Sequence, residues 1–583
     1  EGDTSSVATR AGWAAYRRLV LAIGFDISGS FFALCCLSAA LLGASPILIL
    51  LLSLLSQAAV VSILVPDVGE RSRWGRLLTV AEAPVPRAIV LIVVAIARHQ
   101  GSGLTWGWVL AVVLLALALV GEGPIKAAWG RVGLEVSGLP TLKAEMPELL
   151  RHEVLALLSS VVIVLDVFLA VLGAPYGVAL VLSLVLTVIY LDALVRALLR
   201  ISRVITAEER LRESLVRYAP EFAMYFASTV GAAYQMGMWL PFMLRIGRPF
   251  IIVTRNVPMM REIAALARSL GVDVPIIQRP TLRSLEDVIV PSMTTSFYVN
   301  NAVRNAHFVE RRELTHVWLN HGDSEKPACF NPVHAIYDLL FAAGQAGIDR
   351  YARHGVSIPA EKFRIVGRPQ VESIEHARGH VGEQQPPTVL YAPTWQGPFA
   401  DTRVYSLPMG REIVEQLLAR GVRVVFRAHP FNYRFPASVD MITGIGRLLA
   451  TDRAAGGREH LWGAAAEQRL TIEECFNLSD AMVSDVSAVV SDYLRSDKPF
   501  AIVSVGRTPE SLMKEAPAAR AAYVIRQDLS NLSQVYSDLL GPDPLADLRR
   551  KTKIYYLGDF GSEHYADGFL QTARQVIDVG RRR

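Results

Sequence analysis

The sequence predicts an α-helical membrane domain of about six transmembrane helices followed by two doubly wound α/β domains. Three observations predict it. Apolar runs close to the roughly 20 residues that cross a bilayer as a helix crowd the chain before residue 200. Beyond it, short β-rich runs alternate with helical patterns, and do so twice. The 583 residues also exceed what one core holds, since single cores stop growing near roughly 250–300 residues. The expected domains are 1–205, 206–387 and 388–583. Composition agrees: 52% hydrophobic and 19% charged residues, with a mean hydropathy of +0.32, is more apolar than an ordinary soluble chain.

The apolar segments run over Leu19–Leu42, Ser45–Val65, Pro86–Ala97, Thr105–Val120, Val154–Leu172 and Gly177–Leu198. Six crossings would return the chain to its starting side. The links at Gly43–Pro46, His99–Leu104 and Gly173–Tyr176 carry no Lys or Arg, whereas the opposite flanks hold Arg17, Arg18, Arg71, Arg73, Arg76, Arg87, Lys126, Arg131, Lys143, Arg151, Arg196, Arg200 and Arg203. By the positive-inside rule that basic side is cytoplasmic, which places the large C-terminal half in the cytoplasm and the protein in the plasma membrane as a multi-pass chain. The first segment is longer than a signal-peptide core and more spans follow it, so cleavage is not expected. The chain opens Glu1-Gly2-Asp3 without methionine, as a processed or trimmed chain would. Asp26 and Asp166 interrupt apolar segments; each reads either as a polar path or as a helix-end or helix–helix hydrogen-bonding residue, and the second is the simpler.

The net charge of +5 lies mostly beside the apolar segments, which suits membrane lipids as partners and gives no support to nucleic acid. Cys35, Cys36, Cys329 and Cys475 have neither metal-ligand nor disulfide spacing. No GxxxxGK[ST], GxGxxG, HExxH or GxSxG motif is present, so ATP hydrolysis, hydride transfer and serine hydrolysis lose support. No cofactor is expected, and with no Asp-x-Asp at a strand end nothing calls for a metal.

In the soluble half the expected strands are Phe250–Val253, Val274–Ile277, His316–Leu319, Val389–Ala392, Val422–Phe426, Ala481–Ser484 and Pro499–Ser504, with helices Met259–Leu270 and Arg411–Ala419 between them. Gly382–Pro387 is the expected interdomain linker. In such sheets ligands bind beyond the carboxyl ends of the strands. A strand running into Ser484-Asp485, with Ser487 after it, can offer hydroxyls and helix-start N–H groups to a pyrophosphate; plain N-capping is the alternative. His429 ends a strand, with Arg427 two residues earlier, and can contact phosphate or protonate a leaving group. His321 holds the corresponding place in the first domain, where it can deprotonate an acceptor hydroxyl. Each histidine taken singly also reads as structural.

Asn320-His321-Gly322 with Lys326, Val366-Gly367-Arg368-Pro369, Tyr391-Ala392-Pro393-Thr394-Trp395, His429-Pro430 and Ser484-Asp485-Val486-Ser487 with Asp492-Tyr493 occur in this order. Together they resemble the CDP-glycerol glycerophosphotransferase family, the teichoic acid polymerases, over Tyr218–Gly541. The resemblance implies a GT-B fold of two Rossmann-like domains, the first for the acceptor and the second for the nucleotide donor. It implies catalytic roles for His321 as base and for His429 at the donor phosphates. It also implies substrate or nucleotide contacts from Lys326, Arg368, Thr394, Arg427, Ser484, Asp485, Ser487 and Asp492. The family's usual Trp-His-Gly-Thr-Pro stands here as Asn320-His321-Gly322-Asp323-Ser324, and Val486 and Ala488 replace its Tyr and second Ser. The implied activity is transfer of a polyol phosphate from a CDP-linked donor to a lipid-linked or glycan acceptor in surface-polymer synthesis. A sugar transferase using a nucleotide sugar, or a non-catalytic membrane binding protein, are the alternatives.

Overall fold

The computed structural model describes residues 27–64, 85–101, 103–129, 134–139, 148–150, 152–319, 322–397, 404–561 and 564–580. They form two compact units, one holding the helices up to Arg210 and the other a short stretch beginning at Glu135 together with the chain from Leu211 onward.

The first unit is a bundle of α1 (Ile27–Leu41), α2 (Pro46–Leu64), α3 (Val85–Gln100), α4 (Trp106–Trp129), α5 (His152–Val171) and α6 (Tyr176–Tyr218). Among the described residues α4, α5 and α6 are long and apolar enough to cross a membrane; α1 and α2 contain shorter apolar helices. Small side chains (Ala33, Ala40, Ala111, Ala179, Ala193) pack inside with Trp108, while Leu42, Leu117, Val120 and Val181 face outward. That is the inverse of a water-soluble bundle and suits a lipid surround.

Arg87, counted among the basic flanks, is instead wholly buried on α3. It pairs with Glu122 of α4 and donates to Ser159 of α5 at 2.8 Å, and Tyr190 of α6 donates to the same carboxylate. Position in sequence put Arg87 at a helix end; only packing reveals that its charge is satisfied from within. Asp166 is buried and accepts from Ser183 at 3.4 Å, a helix–helix contact. Asp26 lies outside the described residues.

In the second unit the first sheet comprises β1 (Val136–Ser137), β2 (Phe222–Phe226), β3 (Phe250–Thr254), β4 (Ile276–Gln278), β5 (Thr295–Tyr298), β6 (Thr315–Trp318), β7 (Leu339–Ala342) and β8 (Phe363–Ile365). Its order is β1-β4-β3-β2-β5-β6-β7-β8, parallel except for β1, which runs antiparallel to β4 with Val136 opposite Ile277. So residues expected within 1–205 supply an edge strand to the second unit. β2 and β3 are buried at every position, which is why they read as continuous apolar runs rather than alternating ones.

The second sheet comprises β9 (Thr388–Ala392), β10 (Arg423–Phe426), β11 (Ala481–Ser484), β12 (Phe500–Ser504) and β13 (Tyr523–Arg526), in the order β10-β9-β11-β12-β13, all parallel. Its strand order reverses between β9 and β11, as that of the first sheet does between β2 and β5. Each reversal opens a crevice at the carboxyl edge, the usual ligand position in such sheets.

Two boundaries differ from expectation. Val371 and Ile374 already lie in a core with Leu390 and Met482, so the chain enters the second lobe before Gly382–Pro387. The final helix, Asp567–Gly580, returns to the first lobe: Phe569, Leu570, Ala573 and Ile577 pack with Phe297 and Phe341, and Thr294 donates to the carbonyl of Ile577 at 3.0 Å. Its apolar positions recur at helical spacing and need a partner, but the sequence does not say which sheet supplies it.

Candidate active site

The best-built crevice is the one between β9 and β11. Ala392-Pro393-Thr394 leaves β9 beside Ser484-Asp485 leaving β11, because Ser484 and Ala392 are register partners. Asp485 is fully buried. Its Oδ2 accepts the main-chain N–H groups of Thr394 at 2.8 Å and Ser406 at 3.0 Å, pinning both loops to one carboxylate. Burial pushes its pKa up to about 6, against those bonds and against the charge of Lys326. Lys326 comes from the first lobe and its Nζ donates to Oγ1 of Thr394 at 3.3 Å; burial lowers its pKa while Asp485 opposes that. A half-buried cation from one lobe therefore sits at the strand ends of the other.

His429 follows β10. Its Nδ1 accepts the N–H of Phe431 at 3.1 Å, and burial, with the nearby charge of Lys326, lowers its pKa to about 4. The ring is thus neutral at pH 7 with its proton on Nε2, a hydrogen-bond donor rather than a ready acid. Trp395 stacks on it with centroids 6.3 Å apart, and Asn432 donates to the carbonyl of Thr394 at 3.3 Å, holding the His429 turn against the β9 loop.

The remaining predicted residues divide. Ser487 precedes the helix Ala488–Tyr493 but makes no capping bond, and its buried hydroxyl has no partner among the described residues. Ser484 is committed, its hydroxyl donating to the carbonyl of Ala392 at 2.8 Å. Arg427 turns away from the crevice and donates to the carbonyls of Ala466 and Leu470, the latter at 2.8 Å. Sharing a strand face with His429 is overridden by the carbonyls that its long side chain reaches.

Arg368 and Asp492 hold each other in a two-point ion pair, with Nη2 3.1 Å from Oδ2, joining the lobes. Gly367 makes this possible: its φ of +76° and an ideal Cβ position only 3.1 Å from Phe560 leave room for glycine alone. His321 lies outside the described residues; next to it, Gly322 packs on Ala488 of the second lobe.

Sequence reasoning missed the support beneath this loop. Arg350, almost wholly buried, pairs with Asp323 and with Glu325, at 3.0 Å to the latter, and Tyr556 donates to Glu325 at 3.0 Å. Asp323 and Glu325 stand two apart beside Lys326, which was the available signal; Arg350 gave none, being remote in sequence.

Residues 368–506 match the family described as CDP-Glycerol:Poly(glycerophosphate) glycerophosphotransferase. The matched segment takes in Arg368, Thr394, Arg427, His429, Ser484, Asp485, Ser487 and Asp492, and the enzyme class read from the motifs agrees with the description of that family. His321 and Lys326 precede it. No curated protein matches the chain.

Among solved structures, a Listeria monocytogenes protein described as a UDP-N-acetylglucosamine 2-epimerase is 12% identical, with 61% of this chain and 96% of that one covered and a TM-score of 0.41. The wall teichoic acid polymerase TagF is 12% identical, with 65% and 95% covered and a TM-score of 0.38. A glycosyltransferase from Rickettsia africae is 10% identical, with 62% and 98% covered and a TM-score of 0.37. Likeness so distant says nothing of substrate.

Proposed function

We propose that this chain is a membrane-embedded transferase that moves a polyol phosphate from a CDP-linked donor to a hydroxyl of a lipid-linked or glycan acceptor. One observation carries the reading. Inside or beside the matched segment, half-buried Lys326, the Thr394 loop and neutral His429 meet at one strand crevice, and the unpartnered hydroxyl of Ser487 stands on the turn that leaves the adjoining strand, a donor-rich setting for a pyrophosphate.

In this mechanism the acceptor oxygen attacks the β-phosphorus. A new oxygen–phosphorus bond forms, the bond from the β-phosphorus to the oxygen bridging the α-phosphate breaks, and CMP leaves. His321 takes the acceptor proton. Lys326, Nε2–H of His429 and Oγ of Ser487 stabilise charge on the phosphoryl oxygens and on CMP. Asp485 orders the two loops and does not touch the donor. The first lobe serves the acceptor and the second the nucleotide. The apolar helices cross the plasma membrane as three hairpins, with the catalytic half in the cytoplasm, as their basic flanks support.

Thermal melting of the purified chain in neutral detergent against CDP, CMP, UDP and GDP tests this, since a ligand that binds only the native state raises its stability by mass action. Selective stabilisation by CDP or CMP that weakens in His429→Ala is expected. Preference for UDP or GDP would replace the reading with that of a sugar transferase.

A further inference from the structure

The carboxyl edge of the first sheet holds a second cationic site that the donor chemistry does not use. The strand order reverses between β2 and β5, and three features meet there: Tyr225 near the end of β2, Arg255 just past β3, and Arg304 on the turn after β5. The Tyr225 hydroxyl donates to the carbonyl of Arg304 at 3.3 Å, and the nearby charge of Arg255 opposes the rise that burial gives the Tyr225 pKa. Arg255 is only 8% exposed; it reaches the carbonyl of Thr281 at 3.5 Å, and its buried Nε has no partner among the described residues. His307, on the next turn, has a buried Nδ1 without a partner and a pKa lowered by burial and then by Arg255, with Arg304 adding to the effect and Glu310 opposing it.

Among the described residues neither arginine forms an ion pair with a carboxylate. A buried guanidinium without a counter-charge costs several kcal/mol, so its retention at a ligand crevice asks for an anion. The surroundings narrow the anion's class. Val303, beside Arg304, is 89% exposed, and Val230 and Tyr234 beyond β2 are also exposed, an apolar rim around a cationic floor. The helix Ala232–Gly237 links this site to the other: Gln235 accepts from Asn300 at 3.1 Å, and Tyr234 feels the charges of Arg368 and Asp492.

We propose that Arg255 and Arg304, with Tyr225 and His307, bind a phosphate group carried on an apolar chain, the anchoring phosphate of a lipid-borne acceptor. The acceptor role rests on the transferase reading; the phosphate site does not. Arg255 and Arg304 supply planar pairs of donors to the phosphate oxygens, and the rim covers the first part of the alkyl chain. Holding the phosphate there fixes the acceptor's far end near the lobe junction, where its hydroxyl must meet the donor.

The test is a melting titration of the full chain in uncharged detergent with dodecyl phosphate, inorganic phosphate and CDP, on the wild type and on the double variant Arg255→Gln, Arg304→Gln. Dodecyl phosphate is expected to stabilise the wild type saturably, with inorganic phosphate at least about tenfold weaker. The double variant should shift the dodecyl phosphate midpoint by more than about tenfold, since it removes charge-assisted hydrogen bonds from both guanidinium groups. Its CDP midpoint should not change, which also certifies its fold.

Should the double variant misfold, Arg304→Gln alone, at a partly exposed position, must show the same direction of shift. An unchanged dodecyl phosphate midpoint would overturn the site, and equal midpoints for the two phosphates would overturn the lipid-borne source. A response to dodecyl phosphate without one to CDP would sink the donor reading and leave this site standing.

Discussion

Nη2 of Arg368 lies 3.1 Å from Oδ2 of Asp492 across the junction of the two lobes. Both side chains are nearly buried, and burial raises the Asp492 pKa even against the charge of Arg368. Sequence alone offers Arg368 to a phosphate; the structure gives it a partner. Breaking such a pair from one side leaves an uncompensated buried charge and typically costs roughly 3–5 kcal/mol. Arg368→Ala is therefore expected to lower the melting temperature sharply, and Arg368→Met with Asp492→Leu to recover most of the loss. If Arg368→Ala melts like the wild type and only nucleotide affinity drops, the pair is not structural.

The two serines separate a strand-tying hydroxyl from one without a protein partner among the described residues. Ser484→Ala removes the bond to the Ala392 carbonyl and is expected to cost about 1 kcal/mol of stability with little change in CDP affinity. Ser487→Ala removes a hydroxyl without a protein partner, so stability should stay within about 0.5 kcal/mol while CDP binding weakens several-fold. Calorimetry on both variants decides it, and the reverse pattern would exchange their roles.

Asp485 makes stability depend on pH in a defined direction. Its folded pKa of about 6 exceeds the ordinary 3.8, so the folded state holds the proton more tightly. Its stabilising contribution is full below about pH 4 and is lost as pH rises through about 6, a change on the order of 3 kcal/mol, because each tenfold gain in proton affinity is worth about 1.4 kcal/mol. Melting at pH 4.5 and 7.5 should show this fall in the wild type and its absence in Asp485→Asn. An identical pH dependence in the two proteins would contradict the assignment.

Within the helical bundle, Glu122→Ala strips Arg87 of its counter-charge and is expected to destabilise the chain in detergent by several kcal/mol. Arg87→Leu with Glu122→Leu should recover much of that. Differential scanning of the detergent-solubilised variants reads this directly; a harmless Glu122→Ala would mean that water already solvates the pair.

Strand-level legibility was high where burial was total. Val389–Ala392 and Ala481–Ser484 read as strands because a parallel strand covered on both faces is apolar throughout, and they occupy the centre of the second sheet. β7 and β8 were not legible: Leu339–Ala342 and Phe363–Ile365 are short and only partly buried, so neither a run nor an alternation marks them. Site residues close in sequence to a strand end, such as His429 and Asp485, carried a local signal. Arg255 and Arg304 carried none, because neither sits in a motif.

By itself the sequence determined the division into an apolar helical part and two α/β lobes, the central strands, and the order of the transferase motifs. These are properties of local composition and period, which act over a few residues. Tertiary structure alone decided which charges are satisfied internally. Arg87 meets Glu122, Arg368 meets Asp492, Arg350 meets Asp323, and Arg427 meets main-chain carbonyls, while Lys326 crosses to the other lobe's strand ends. It also sent the last helix back to the first sheet. A charged side chain reads the same in sequence whether it awaits a ligand or already has a partner. The difference lies in which remote segment folds against it.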